Sequence, residues 1–334
     1  MSSFDRQSIR PCRLSSSLLL GITLLFPLQL FGEEQSSEQL QQPDIFNPID
    51  APRDYLSGQL INFTSGIDRF FGDDRNYQES NQSVFQLDLV RVTGYGGDRK
   101  IVLSGRAKVN LPSTEKRLHL MLETNPDKNI TGEPTQTQAT PINQVAAPES
   151  YAASVRYEKE KEEDRPWHFS TDAGIKFQGI NTDPFVRARG SYSVPMGQWR
   201  LKAAESVFWF NTIGAGESTQ LDLEHFLSEP VLFRATSNAT WLNDKQNFDL
   251  RQDLSVYHTL NDRTALLYQA SAIGISNPQF QVTDYVALLL YRYRLHRSWI
   301  FFELSPQLHF PKERNYQSSP TFSMRLEMLF DESK

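Results

Sequence analysis

The stretch Pro320-Thr-Phe-Ser-Met-Arg-Leu-Glu-Met-Leu-Phe330, near the end of the chain, alternates between apolar and polar side chains. In an extended strand its apolar residues share one face: Phe322, Met324, Leu326, Met328 and Phe330. The other face carries Thr321, Ser323, Arg325, Glu327 and one apolar exception, Leu329. Because successive side chains of a strand point to opposite faces, the pattern predicts a strand with one apolar and one polar surface.

The same alternation recurs through most of the chain. It predicts strands near residues 84–93, 100–111, 116–124, 150–158, 167–178, 184–194, 199–210, 219–227, 231–241, 248–260, 264–275, 281–295, 299–310 and 320–330. This gives about 14 strands, roughly 12–16 when the uncertainty of strand boundaries is allowed for. Many of them are long enough to cross a bilayer as tilted strands. The predicted fold is therefore all-β, an antiparallel transmembrane β-barrel, with a soluble periplasmic β-sandwich as the alternative.

The N-terminal segment has the composition of an export signal. Three arginines among the first 13 residues precede an apolar run from Leu18 to Leu30. At about 13 residues the run is too short to span a bilayer and has the length of a signal-peptide core. We predict a cleaved signal peptide over residues 1–32, with an uncleaved inner-membrane anchor as the alternative.

The rest of the chain divides into a leader, a helix, the barrel and a tail. Residues 33–50 are rich in Gln, Glu and Ser and are predicted to be flexible. Between Pro52 and Phe71 the apolar residues recur at spacings of three, four and seven, which predicts a short amphipathic helix over 51–72. Such a helix lies on the membrane, covers one end of the barrel or plugs its lumen. The barrel is predicted over 83–330, with a tail at 331–334.

The composition argues against several classes of function. The only cysteine, Cys12, lies in the predicted signal, so cleavage would leave no thiol for a disulfide or a thiolate metal site. Removing the signal, with its net charge of +2, changes the formal charge from −6 to −8, and no basic excess points to nucleic acid. No histidines have metal-ligand spacing, and no Gly-x-Ser-x-Gly motif occurs. We predict no cofactor, no metal and no nucleic-acid partner, and identify no catalytic residues.

The polar faces of the strands predict a charged lumen. Its predicted lining charges are Arg156, Lys176, Arg187, Arg189, Arg200, Lys202, Asp222, Glu224, Asp249 and Asp253. Basic residues dominate the earlier strands and acidic residues the later ones, so opposed rows of charge would orient and select ionic solutes. The alternative is that these charges pair with each other and fill the lumen.

Two features concern the apolar faces. Trp167, Trp199, Trp241 and Trp299 lie at strand ends, as the interfacial aromatic residues of membrane barrels do. Glu205 falls on the predicted lipid face of its strand. Because a charge is unfavourable there, we interpret Glu205 as the sign of a bulge or of a different register.

With its signal-like start, its alternating strands and its closing aromatic residue Phe330, the chain resembles the outer-membrane β-barrel proteins of Gram-negative bacteria. In that class such a residue helps the barrel-assembly machinery to recognise the chain, although here four residues follow Phe330. The resemblance implies export through the inner membrane, an outer-membrane location, periplasmic termini, and the assembly machinery and outer-membrane lipid as partners. It is a resemblance to a class and does not identify a solute.

The predicted function is a narrow channel or passive pathway for small polar or charged solutes. The alternative is a non-conducting structural or interaction barrel with a salt-bridged or helix-plugged lumen. A lipid-modifying outer-membrane enzyme is a third hypothesis, without a catalytic constellation to support it.

Overall fold

The computed structural model describes residues 63–64, 66–68, 70–71, 83–95, 97–111, 117–126, 150–159, 166–296 and 299–331. Within these ranges fourteen strands form one closed antiparallel barrel, in which sequence neighbours pair and β1 pairs with β14. The predicted fold class is confirmed, and so is the resemblance to outer-membrane β-barrel proteins at the level of fold. The predicted signal peptide and leader lie outside the described residues.

The strands follow one another around the barrel in chain order. They are β1 Val84–Gly94, β2 Gly97–Asn110, β3 Leu118–Thr124, β4 Tyr151–Glu158, β5 Trp167–Gln178, β6 Asn181–Met196, β7 Trp199–Phe210, β8 Gly214–Ser228, β9 Val231–Leu242, β10 Asn247–Asn261, β11 Thr264–Ile275, β12 Gln281–Arg294, β13 Ile300–Pro311 and β14 Ser319–Asp331. A 3-10 turn, Lys312–Arg314, precedes β14. None of the described residues belongs to a helix long and apolar enough to cross a membrane.

Several strands have the predicted bounds, but β2 begins earlier than predicted. The predicted connection at 94–99 is a tight hairpin turn, because pairing continues to Gly94 and Gly97. Gly94 has a φ of 108°, and a Cβ at this position would lie 2.6 Å from the carbonyl oxygen of Pro320. Glycine adopts this conformation without strain because it has no Cβ, so Gly94 allows the chain to turn here.

The strand β14 shows why these residues form a membrane barrel. Arg325 and Glu327 point inward and are 4% and 0% exposed, whereas Phe322 and Phe330 lie on the outer wall and are 40% and 41% exposed. This is the reverse of a water-soluble protein, in which charged side chains are rarely buried. An apolar outer wall around a polar interior is the arrangement that a bilayer favours.

The two ends of the barrel are distinguished by the strand termini and turns that lie there. We call the end at which β1 begins, at Val84, and β14 finishes, at Asp331, the terminal end. The opposite end, where β1 turns into β2 at Gly94, is called the far end.

Candidate functional site

A helical segment lies inside the barrel at its terminal end. The structure describes seven residues of the predicted helix at 51–72, namely those at 63, 64, 66–68, 70 and 71, and all seven are helical. We call them the lumen helix. Ile67, Phe70 and Phe71 are buried, and their spacing places them along one side of the helix. Of the three locations considered for this segment, the structure shows the one within the lumen.

The lumen helix covers an apolar patch on the inner wall. We call this set of buried inward-facing residues the wall patch: Leu232, Tyr257, Ala265, Leu267, Leu288, Leu290 and Phe301. Phe71 packs edge to face against Tyr257 at a ring distance of 5.2 Å, and Phe70 does so against Phe301 at 5.7 Å. Since the inner wall of a water-filled barrel is normally polar, a buried apolar patch is explained by the helix that covers it.

One ion pair joins the lumen helix to the wall. Asp68 accepts a hydrogen bond of 2.6 Å from the guanidinium of Arg234 on β9. The same guanidinium donates to Glu224 on β8 at 2.7 Å and to the hydroxyl of Tyr257 at 3.2 Å. Arg234 therefore has one carboxylate partner on the helix and a second on the barrel wall.

The structure places the ten charged residues proposed for the lumen on inward-facing positions of β4–β10. Eight of them are buried, and Arg189 and Asp249 are partly exposed. Their cations lie on β4–β7 and their anions on β8 and β10, and many of these charges pair with an oppositely charged side chain close by. The contacts that show this include Arg156–Asp172 at 3.2 Å, Lys176–Asp183 at 3.1 Å, Arg200–Glu224 at 2.5 Å and Arg251–Asp253 at 2.8 Å.

The other members of that set make the following contacts. Asp222 accepts a hydrogen bond of 2.7 Å from Thr236, and Lys202 lies directly across from Asp222 in the β7–β8 register. Asp249 lies 3.6 Å from Lys245, and Arg189 donates to the hydroxyl of Ser206 at 3.1 Å. Arg189 therefore differs from the buried cations of the set: it is partly exposed, and its guanidinium donates to a hydroxyl.

Arg187 shows a contact that strand alternation does not predict. Its guanidinium donates to Asp172 on the adjacent strand β5 at 2.6 Å. It also reaches Glu123 on β3, three strands away, at 2.5 Å. Barrel curvature brings β3 and β6 together, so the position of Glu123 next to Arg187 follows only from the closed fold.

Two further buried charge networks were not among the predicted site residues. In one, Lys108 pairs with Glu158, whose carboxylate also lies 2.9 Å from His168 and 3.4 Å from His119. In the sequence, these four residues are marked only by their positions on the inward-facing side of β2–β5. Within the described residues, no group of three or more His, Cys, Asp or Glu side chains is arranged to hold a metal ion.

The second network joins β12, β13 and β14. Arg292 pairs with Glu303 and donates to Glu327 at 2.6 Å, and Arg325 donates to Glu303 at 2.6 Å. All four side chains are buried. The ring of Phe301 lies 4.0 Å from the guanidinium carbon of Arg292, which connects this network to the wall patch.

The four tryptophans predicted to be interfacial lie at strand ends on the outer wall. Trp167, Trp199 and Trp299 are at the terminal end, and Trp241 is at the far end. Trp167 contacts the ring of Tyr192 at 4.3 Å. Trp299 stacks on Phe330 at 4.6 Å, so the last strand finishes within this aromatic belt.

The interpretation of Glu205 as a bulge or a misassigned register is wrong. The strand β7 pairs with β6 and β8 without a register shift. Glu205 therefore points to the outer wall, where it accepts a hydrogen bond of 2.6 Å from Thr219.

Comparisons with known proteins give similar folds at low sequence identity. No family model matches the chain, and no curated protein matches it either. A loop-deletion mutant of OmpT, an outer membrane protein of Vibrio cholerae, is 10% identical over 74% of this chain and 98% of its own, with a TM-score of 0.47. OprB of Pseudomonas putida is 10% identical over 75% and 94%, with a TM-score of 0.46. The KdgM porin is 6% identical over 73% and 99%, with a TM-score of 0.35. At such identities the similarity concerns the barrel and not a solute.

Proposed function

We propose that this protein is an outer-membrane channel for small polar or charged solutes, and that the lumen helix closes it at the terminal end. The observation that carries the proposal is the double pairing of Arg234 with Asp68 on the helix and Glu224 on the wall. If the helix leaves, Arg234 keeps Glu224 as a carboxylate partner, which it shares with Arg200. Removing the only partner of a buried charge costs about 3–5 kcal/mol. Because Arg234 has a second partner, detachment of the helix is expected to cost less than this.

The second candidate is a barrel that the helix plugs permanently. It is favoured by the apolar contact, because detachment would expose the wall patch as well as Phe70 and Phe71. The two candidates differ in whether the lumen conducts once the helix is displaced. Ion conductance of the purified protein in a planar bilayer, with and without a weakened helix contact, distinguishes a channel from a permanently plugged barrel.

The proposed location places the terminal end in the periplasm, after export through the inner membrane. The apolar outer wall supports a membrane location, and the aromatic contacts at the terminal end support an interface with lipid headgroups there. Faster electrophoretic mobility without boiling, in protein from an outer-membrane fraction, is the expected result. A soluble protein without a heat-dependent shift would exclude this location.

Replacing Arg189 by Glu is expected to shift the selectivity of the open lumen toward cations. Arg189 is a partly exposed lumen cation whose guanidinium donates to a hydroxyl, so reversing its charge changes the field that passing ions meet. The measurement is the reversal potential under a salt gradient, in a variant whose helix contact is weakened. Arg263→Glu, at an exposed turn, makes the same change in net charge and is the control. Equal reversal potentials in both variants would show that Arg189 does not face the pathway.

Phe330→Ala is expected to lower the yield of assembled barrel several-fold. We propose that Phe330 is read by the barrel-assembly machinery, since it is exposed on the outer wall at the end of the last strand. Phe322→Ala removes an equally exposed ring from the same face of β14 and is the matched control. The fraction of heat-shifted protein in the outer membrane measures assembly. A similar loss for both variants would mean that the ring contributes only contact with lipid.

A further inference from the structure

The outer wall of β7–β10 carries a polar cluster at mid-strand depth, where most of the wall is apolar. Glu205 on β7 is hydrogen-bonded to Thr219 on β8 at 2.6 Å, and Ser237 on β9 to Gln252 on β10 at 2.5 Å. All four residues lie near the middle of their strands. On the opposite side of the barrel the outer wall presents large apolar side chains such as Leu103, which is 56% exposed.

The wall beside this cluster is recessed. A groove of about 310 Å³ runs along it, and its lining includes Ala239, Ala272 and Gly274. Next to Glu205 in the β6–β7 register lies Gly190, where a Cβ would meet no atom within 4 Å. Small residues on a membrane-facing surface let another protein backbone approach closely, and polar side chains there form hydrogen bonds across the contact.

We propose that this face, which we call the β7–β10 face, is the contact surface with a second copy of this chain in the membrane. The cluster lies at the middle of the strands, so a lipid headgroup does not reach it, and its occupant is another membrane-embedded protein. The face holds a carboxylate acceptor in Glu205 and an amide donor in Gln252, on its two outermost strands. These groups are complementary to each other.

A two-fold axis along the membrane normal brings these groups together. Both copies then keep the same orientation in the membrane, and the symmetry makes the contact self-complementary. With the axis between β8 and β9, β7 of one copy faces β10 of the other, so Glu205 meets the Gln252 amide of its partner twice. Leu221 on β8 and Ala239 on β9 would fill the space between these contacts.

Cysteine cross-linking tests the contact in the full-length protein in its membrane. Ser237 lies next to the proposed axis, so Ser237→Cys in a Cys12→Ser background is expected to give a covalent homodimer on mild oxidation. Leu103→Cys, in the same background, is the control on the opposite side of the barrel. Equal cross-linking at both positions, monomer only at Ser237→Cys, or a cross-link from Ser237→Cys to a different protein would each overturn the proposal.

A second variant separates dimer contact from folding. Leucine at both Glu205 and Gln252 removes polar groups from a lipid-facing wall, so the barrel is expected to keep its heat-dependent shift. Two hydrogen bonds are lost across the symmetric contact, and the expected result is a dissociation constant about tenfold higher by sedimentation in detergent. An unchanged dissociation constant, or a wild-type protein that sediments only as a monomer, would contradict the proposed interface. This test does not depend on whether the barrel conducts.

Discussion

Phe71→Ala is expected to convert a closed barrel into one that conducts ions. The Phe71 ring is buried between the lumen helix and the wall patch and packs against Tyr257. Removing it weakens the contact that holds the helix in the lumen, while Arg234 retains Glu224 as a partner on the wall. The wild-type protein is expected to show rare or no openings in a planar bilayer, and the variant frequent ones.

The size of the effect follows from the apolar surface involved. Burying a phenylalanine side chain contributes about 1.5–3 kcal/mol, which corresponds to an increase of about tenfold to a hundredfold in the ratio of open to closed barrels. Adding Phe70→Ala removes the contact with Phe301 and is expected to increase the ratio further. Asp68→Ala is expected to have a smaller effect, because it removes one of two carboxylates from Arg234.

The control for this experiment is Phe169→Ala. It makes the same change of side chain on the outer wall of β5, away from the lumen. Both variants must keep the heat-dependent shift, so that conductance is compared between folded barrels. Folded Phe71→Ala and Phe70→Ala/Phe71→Ala barrels that stay closed would reject the channel and favour a permanently plugged, non-conducting barrel.

The wall of the barrel could be predicted from the sequence because strand alternation is local. The strands β5, β7 and β11 have the predicted bounds, and the inward and outward faces of β14 are those predicted from residues 320–330. Pairs between distant strands could not be predicted in this way. Glu123 and Arg187 meet because the barrel closes, and no local pattern within β3 or β6 records that contact.

The docking of the lumen helix left a weak signal in the sequence. Leu329 is the apolar exception on the polar face of β14, and the structure places it beside the wall patch. Leu288 and Leu290 likewise share an inward face with Arg292 on β12. Such interruptions of a polar face, all near one end of the barrel, indicate an internal partner. Glu205 is the equivalent exception on the outer wall, and the regular pairing of β7 shows that a polar residue there does not require a bulge.

Arg292→Met is expected to destabilise the barrel more than any other single change discussed above. Its guanidinium is fully buried between Glu303 and Glu327, and methionine fills a similar space without a charge. Removing one partner of a buried ion pair leaves an uncompensated charge and costs about 3–5 kcal/mol. The free energy of unfolding, from tryptophan fluorescence during denaturation in detergent micelles, is expected to fall by about this amount.

Lys245→Met is the control for this loss, because its pair with Asp249 is 55% and 40% exposed and such pairs contribute at most about 1 kcal/mol. Adding Glu327→Gln to Arg292→Met is expected to restore part of the stability, since Glu327 loses its hydrogen bonds from Arg292 whereas Glu303 keeps its hydrogen bond from Arg325. The comparison of the two variants also tests whether water reaches the interior of the barrel. If Arg292→Met costs no more than Lys245→Met, water reaches the network between β12 and β14 and solvates the carboxylates. The lumen would then be wet next to the lumen helix, and displacing the helix alone would complete an aqueous path.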